Sequence, residues 1–309
     1  MKLKAIVSLF KETIREWQED KTSRLAAALA YYTVFSLAPL LIIAIAIAGA
    51  IFGEEAARGE IVGQIQGLVG LEGAKVIEAA IENANKPDVS SVASLLSVIA
   101  LLFGASGVFA QLQDALNTVW EVQSKPGGGI GGFIRKRVLS FSAVFGIGFL
   151  LLVSLVVSAV LAGLNKYLSS LVPGIDALWQ ILNFGISFGV ITLLFALMYK
   201  YLPDVRIKWS DVWIGAAITA LLFAIGKFAL GLYLGRGSFG STYGAAGSLV
   251  VLLAWVYYSA QILFFGAEFT QVYARRYGSN IVPDEHAVRL TEEARSKQGM
   301  TRNSRRRDR

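Results

Sequence analysis

Polar side chains recur at helical spacing inside sequence that is otherwise apolar. Tyr257, Gln261, Glu268, Gln271 and Arg275 fall on one face of a helix, and Gln113 and Asn117 stand four residues apart in the same way. Tyr31, Tyr32, Thr33 and Ser36 crowd the first half of an uncharged apolar run, residues 25–52, and Pro39 follows them. Such groups offer hydrogen bonds and a carboxylate rather than a nucleophile with its base. In lipid they have two uses: lining a water-accessible cavity, or bonding helices to one another. On the cavity reading the candidate binding residues are Tyr32, Ser36, Pro39, Gln113, Asn117, Tyr257, Gln261 and Glu268. Lys227 is the basic residue deepest in an apolar run; it either snorkels to the headgroups or, with Arg236, supplies counter-charge to an anion such as a lipid phosphate. The glycines at 235, 237, 240 and 244 either hold that anion by backbone N–H groups or permit close packing.

Other chemistry is excluded by composition. The chain has no cysteine, which removes thiol catalysis and Cys-ligated metal sites, and its single histidine, His286, lies in a polar tail. No cofactor, metal or catalytic residue is expected.

The elements that must position these residues are read from hydropathy. Of 309 residues 55% are hydrophobic and only 17% charged, the balance of a polytopic membrane protein. Residues 1–24 place Leu3, Ile6, Val7, Phe10, Ile14 and Trp17 at helical spacing among lysines and arginines; this predicts an amphipathic helix, lying on an anionic membrane surface or packed on the protein. Six apolar runs follow, at about residues 25–52, 92–110, 138–164, 178–199, 212–234 and 245–269. The first is too long for a ~30 Å hydrocarbon core, and Pro39 predicts a kink in it. Residues 53–90 are acidic and predict a helical hairpin outside the cytoplasm, and residues 273–309 read as a basic tail, largely disordered, with a short helix compatible with residues 283–295. The expected fold is therefore all-α, with a transmembrane domain over residues 25–272. A cleaved signal peptide is not expected, since the first apolar run is far longer than an h-region. Small residues recur at contact spacing in the pairs 49/53, 100/104, 185/189 and 231/235, within the chain or between copies in a homo-oligomer.

Basic residues set the orientation. The N-terminus, Lys125, Arg135, Lys136, Arg137, Arg206, Lys208 and the Arg-rich tail share one side, which predicts that both termini are cytosolic. Trp120, Trp209 and Trp213 then fall near the inner interface and Trp179 near the outer, and the polar layer lies in the inner leaflet.

Several stretches together resemble a family. LAYYTVFSLAPLL (residues 29–41), FGASGVFAQLQDALNTVWEV (103–122), YLPDV (201–205) and STYGAAGSL…LLAWVYYSAQILFFGAEF (241–269) are similar to the YihY/BrkB family of bacterial inner-membrane proteins over about residues 10–275. The resemblance implies six membrane helices in the cytoplasmic membrane, but no agreed mechanism, since members have been labelled ribonuclease BN and others linked to envelope function. The residues oppose the nuclease label, because RNA hydrolysis needs metal-holding carboxylates or imidazoles, or an acid/base pair, on a wettable face. The expected function is transporter-like handling of an anionic envelope lipid or amphipathic solute. The alternative is a scaffold that binds proteins through the outer hairpin. Anionic lipid is the expected partner, not specific nucleic acid.

Overall fold

The computed structural model describes residues 3–59, 61–63, 66, 74, 78–79, 91–125, 176–236, 247–278, 281–298 and 300. The third apolar run, most of the hairpin at 53–90, the glycine-rich link and the Arg-rich end, residues 301–309, lie outside them.

Helix α1, Leu3–Glu19, ends in a turn at Lys21, whose φ of 52° is left-handed, and α2, Thr22–Phe52, starts at once. Residues 22–24 thus belong to the first long helix and not to the amphipathic one. α1 lies against the last long helix, α6 (Gly247–Tyr277). Leu9 and Phe10 meet Phe269 and Val272, while Arg275 bonds Glu16 at 2.8 Å and Glu12 at 3.1 Å. Packing on the protein occupies one face, yet Ile6, Val7 and Ile14 stay exposed on the next, bordered by Lys4 and Lys11. The helix therefore keeps an apolar edge suited to a membrane surface.

α2 continues through Pro39 and packs on α3 (Ser91–Val119) and on α6. α5 (Trp209–Arg236) is held between α4 (Asp176–Tyr201) and α6. Among the described residues four helices are long and apolar enough to cross a membrane, over Thr22–Ala50, Phe184–Tyr201, Trp209–Ala229 and Leu249–Tyr277. The second expected run, 92–110, falls within α3.

Close approach is obtained with glycine. A Cβ on Gly266 would overlap Thr219 Oγ1 and stand 2.6 Å from Tyr199 Oη, and one on Gly215 would overlap the Thr270 side chain. At that junction Tyr199, fully buried, donates to the Leu263 carbonyl at 2.7 Å and meets Thr219 Oγ1 at 3.0 Å. Gly104 receives the Pro39 ring, 3.1 Å from where its Cβ would be. The 185/189 pair, by contrast, meets nothing within 4 Å among the described residues. Spacing alone marks small residues without saying which ones touch.

Three expectations need correction. The fold is mostly helical but not purely so: β1 (Val122–Ser124) pairs antiparallel with β4 (Ala287–Arg289), and β2 (Val205–Arg206) with β3 (Val282–Pro283). The polar tail is folded over residues 281–298, ending in a short helix, α7 (Glu292–Lys297), capped by Thr291. Its polarity reflects backbone pairing and ion pairs rather than disorder. Trp120 sits in the core at 2% exposure, not in an interfacial belt, whereas Trp209 and Trp213 are exposed.

Gly266→Ala should destabilise the purified protein by about 1–3 kcal/mol through overpacking, while Gly185→Ala should leave its melting temperature in detergent unchanged.

Candidate functional site

The sequence-derived polar residues reach three different partners. On α2, Ser36 donates to the Gly104 carbonyl of α3 at 2.6 Å, and a Cβ on Gly107 would lie 3.3 Å from that hydroxyl. Ser36, Pro39 and Gly104 thus form the α2–α3 contact. Tyr32 is exposed beside it; Tyr31, also exposed, packs its ring against Phe35.

On α3, Gln113 and Asn117 turn toward the loop between α4 and β2. Asn117 donates to Asp204 Oδ2 at 2.9 Å and accepts from the Asp204 backbone N–H at 2.7 Å; Gln113 donates to Oδ1 at 3.3 Å. All three residues are buried. Asp204 then passes the order on, since its carbonyl accepts from the backbone N–H of Asp284 in the C-terminal segment. A pair of amides inside the bundle fixes a loop that anchors a strand ribbon.

On α6, Glu268 is 0% exposed and accepts from Thr22 Oγ1 at 3.3 Å through Oε1. Its Oε2 has no hydrogen-bond partner among the described residues, nor has Gln261 Oε1. Tyr257 is exposed. Lys227 on α5 is exposed as well, and Arg236 is the last residue of that helix.

Next to Glu268 is a group of charges that sequence reasoning missed. Arg295 of α7 is 1% exposed and pairs with Asp20 Oδ1 at 2.6 Å and with Glu121 Oε1 at 3.3 Å. Asp20 and Glu16 are themselves 2% and 3% exposed. Burial pushes the Asp20 carboxyl from its ordinary 3.8 up to about 7, even though Arg295 pulls it down, and Glu121 and Glu16 add to the rise. The C-terminal segment is held further by Leu290 N–H to the Glu121 carbonyl, by Arg206 to Asp284 and Glu285, and by Arg24 to the Gln298 carbonyl. The beginning and end of the described chain therefore meet at one end of the bundle.

A separate cavity of about 380 Å³ lies along the second half of α2. Ile42, Ile45, Ala46, Gly49 and Ala50 line it, and Glu54 and Arg58 stand at its polar side. None of the sequence-derived residues is among these. The signal was present all the same, as an apolar helix face continued by two opposite charges four residues apart.

Comparison with known proteins places this architecture. A family model described as virulence factor BrkB matches residues 13–291. A UPF0761 membrane protein of Verminephrobacter eiseniae is 30% identical over 268 residues, covering 84% of this chain and 60% of that protein. Others from Alteromonas mediterranea and Pseudoalteromonas translucida are each 28% identical, covering 85% and 82% of this chain and 86% and 81% of their own lengths. The chain thus spans three-fifths of the first relative and most of the other two. No solved structure matches.

Asn117→Ala strands the Asp204 N–H and one carboxylate oxygen, and should cost about 2–4 kcal/mol. Proteolysis should then cut first in residues 202–206, against a resistant parent.

Proposed function

Since the chain belongs to the virulence factor BrkB family of membrane proteins, we propose that it handles an anionic amphipath, a phosphate-bearing lipid or a related solute, in a transporter-like manner in the bacterial cytoplasmic membrane, with both termini in the cytosol. The observation that carries this reading is the α2 cavity. Its volume of about 380 Å³ is of the size that small-molecule sites have, and its wall from Ile42 to Ala50 is apolar throughout. Arg58 and Glu54 put a guanidinium and a carboxylate at one side of that wall. A guanidinium suits phosphate or carboxylate, and the carboxylate beside it suits an ammonium or hydroxyl on the same headgroup.

Lys227 suits the same chemistry from α5, as an exposed cation on a membrane helix. The polar residues of the inner layer take a different part. Ser36, Gln113 and Asn117 are engaged with carbonyl and carboxylate partners, so their contribution is to hold α2 to α3 and α3 to the Asp204 loop.

Purified protein in vesicles containing a fluorescent anionic phospholipid should speed its movement between leaflets relative to protein-free vesicles. Arg58→Ala, by removing a charge-assisted contact, should weaken the effect about tenfold. Ala46→Trp, which fills the cavity, should abolish it with the fold intact. Equal rates with and without protein, for phospholipid and lysophospholipid alike, would sink the reading.

A further inference from the structure

The carboxylates at the foot of α6 outnumber the guanidiniums that face them. Glu12, Glu16 and Glu19 come from α1, Asp20 from the turn, Glu121 from the end of α3 and Glu268 from α6. Against them stand Arg15 on α1, Arg275 and Arg276 on α6, and Arg295 on α7, with Arg24 of α2 at the edge donating to the Gln298 carbonyl. The pairs distribute unevenly. Arg15 takes Glu16 and Glu19, Arg275 takes Glu12 and Glu16, Arg276 approaches Glu12, and Arg295 takes Asp20 and Glu121. Glu268 has no cation among the described residues. It is fully buried, its one hydrogen bond among the described residues is the long one from Thr22, and Oε2 has no partner among them. Asp20, two residues before the Thr22 that bonds Glu268, is a second buried carboxyl, at 2% exposure.

A buried excess of negative charge is not a stable arrangement in a medium of low polarity. It is relieved by a cation or a proton. Among the described residues no three acidic or imidazole side chains converge in a way that could hold a metal ion, so the proton is the ligand that fits. We infer that Glu268 and Asp20, with Glu16 and Glu121 around them, form a proton-binding site, and that this proton is taken up when the C-terminal segment, residues 281–298, docks and buries it. The site is independent of whether the protein moves a lipid.

The sign follows from what docking does to Asp20. With Arg295 in place the carboxyl is 2% exposed, and desolvation holds it at about 7. Undocking withdraws α7, admits water and returns the group toward its ordinary 3.8. Between those values the docked form carries a proton that the undocked form lacks, so docking weakens as the pH rises through that interval and is constant above about 7. For a single proton the docking equilibrium changes by at most ~10-fold per pH unit. Arg295 sets the geometry, and the proton offsets the charge that Arg295 leaves uncompensated.

The cysteine-free sequence makes the test direct. Gln18→Cys and Ser296→Cys, both at exposed positions, carry spin labels on either side of the Asp20–Arg295 pair in the full chain, held in lipid nanodiscs. Pulsed dipolar spectroscopy then reads the docked, short-distance fraction against pH, with Arg295→Ala marking the undocked distance. The expected result is a docked fraction that falls as pH rises toward about 7 and then levels. Asp20→Asn, which imitates the protonated acid, should stay docked with a flat profile. Glu268→Gln, which removes a neighbouring negative charge, should move the fall to lower pH, and it decides the matter if Asp20→Asn does not fold. A flat profile in the parent, a fraction that grows with pH, a slope that survives in Asp20→Asn, or a profile unmoved by Glu268→Gln overturns the inference. Loss of docking at every pH in Asp20→Asn overturns it too, leaving an ordinary structural ion pair.

Discussion

A guanidinium shut away from water must be surrounded by anions, and Arg295 obtains them from two places far apart in sequence, Asp20 and Glu121. Each sits at a helix end that the backbone turns sharply: Lys21 and Glu121 both hold left-handed φ, at 52° and 54°, without being glycine. Such a conformation costs about 1–2 kcal/mol per residue and persists where surrounding contacts over-determine it. The ion pairs, the β1–β4 ribbon and the Leu290 bond to Glu121 supply those contacts. Loop conformations, ribbon registers and the docking of α1 on α6 all hang from this one end of the bundle.

Within the membrane the organising rule is different. Lipid is as apolar as leucine, so helices gain little by hiding apolar surface from it, and close contact does the work. Gly266, Gly215 and Gly104 bring α4, α5 and α6, and α2 and α3, to van der Waals distance. Tyr199 and Thr219, then Ser36, add hydrogen bonds across those contacts. The terminal end is fixed by charge and ribbons, the spans by small residues and hydroxyls, and Glu268 stands where the two regimes meet.

Sequence reading found what repeats locally. The apolar runs, the amphipathic α1 and the Pro39-bearing span are periodic or compositional signals, and the described helices coincide with them. The same reading grouped Ser36, Asn117 and Glu268 in one layer by depth, and they do lie on α2, α3 and α6; their partners, a carbonyl, Asp204 and Thr22, are matters of register that no window reveals. Arg295 looked like one more charge in a polar tail because its counter-ion lies 275 residues away. Trp120 was placed in a belt by type, but its neighbours Leu116 and Val119 carry it into the core. Periodicity reports a face, not what covers it.

The strand ribbons also impose an order on biogenesis. The C-terminal segment with β4 and α7 is made after its partners at 20, 121 and 204, which emerge early and wait, exposed, while the intervening helices are synthesised. Until that final stretch arrives, the buried acids at the base of the bundle stay wet and the two left-handed turns lack their supports. The segment 281–298 thus closes an end whose other walls are already built, and a partial chain lacking it would leave those acids and turns open to water and to proteolysis.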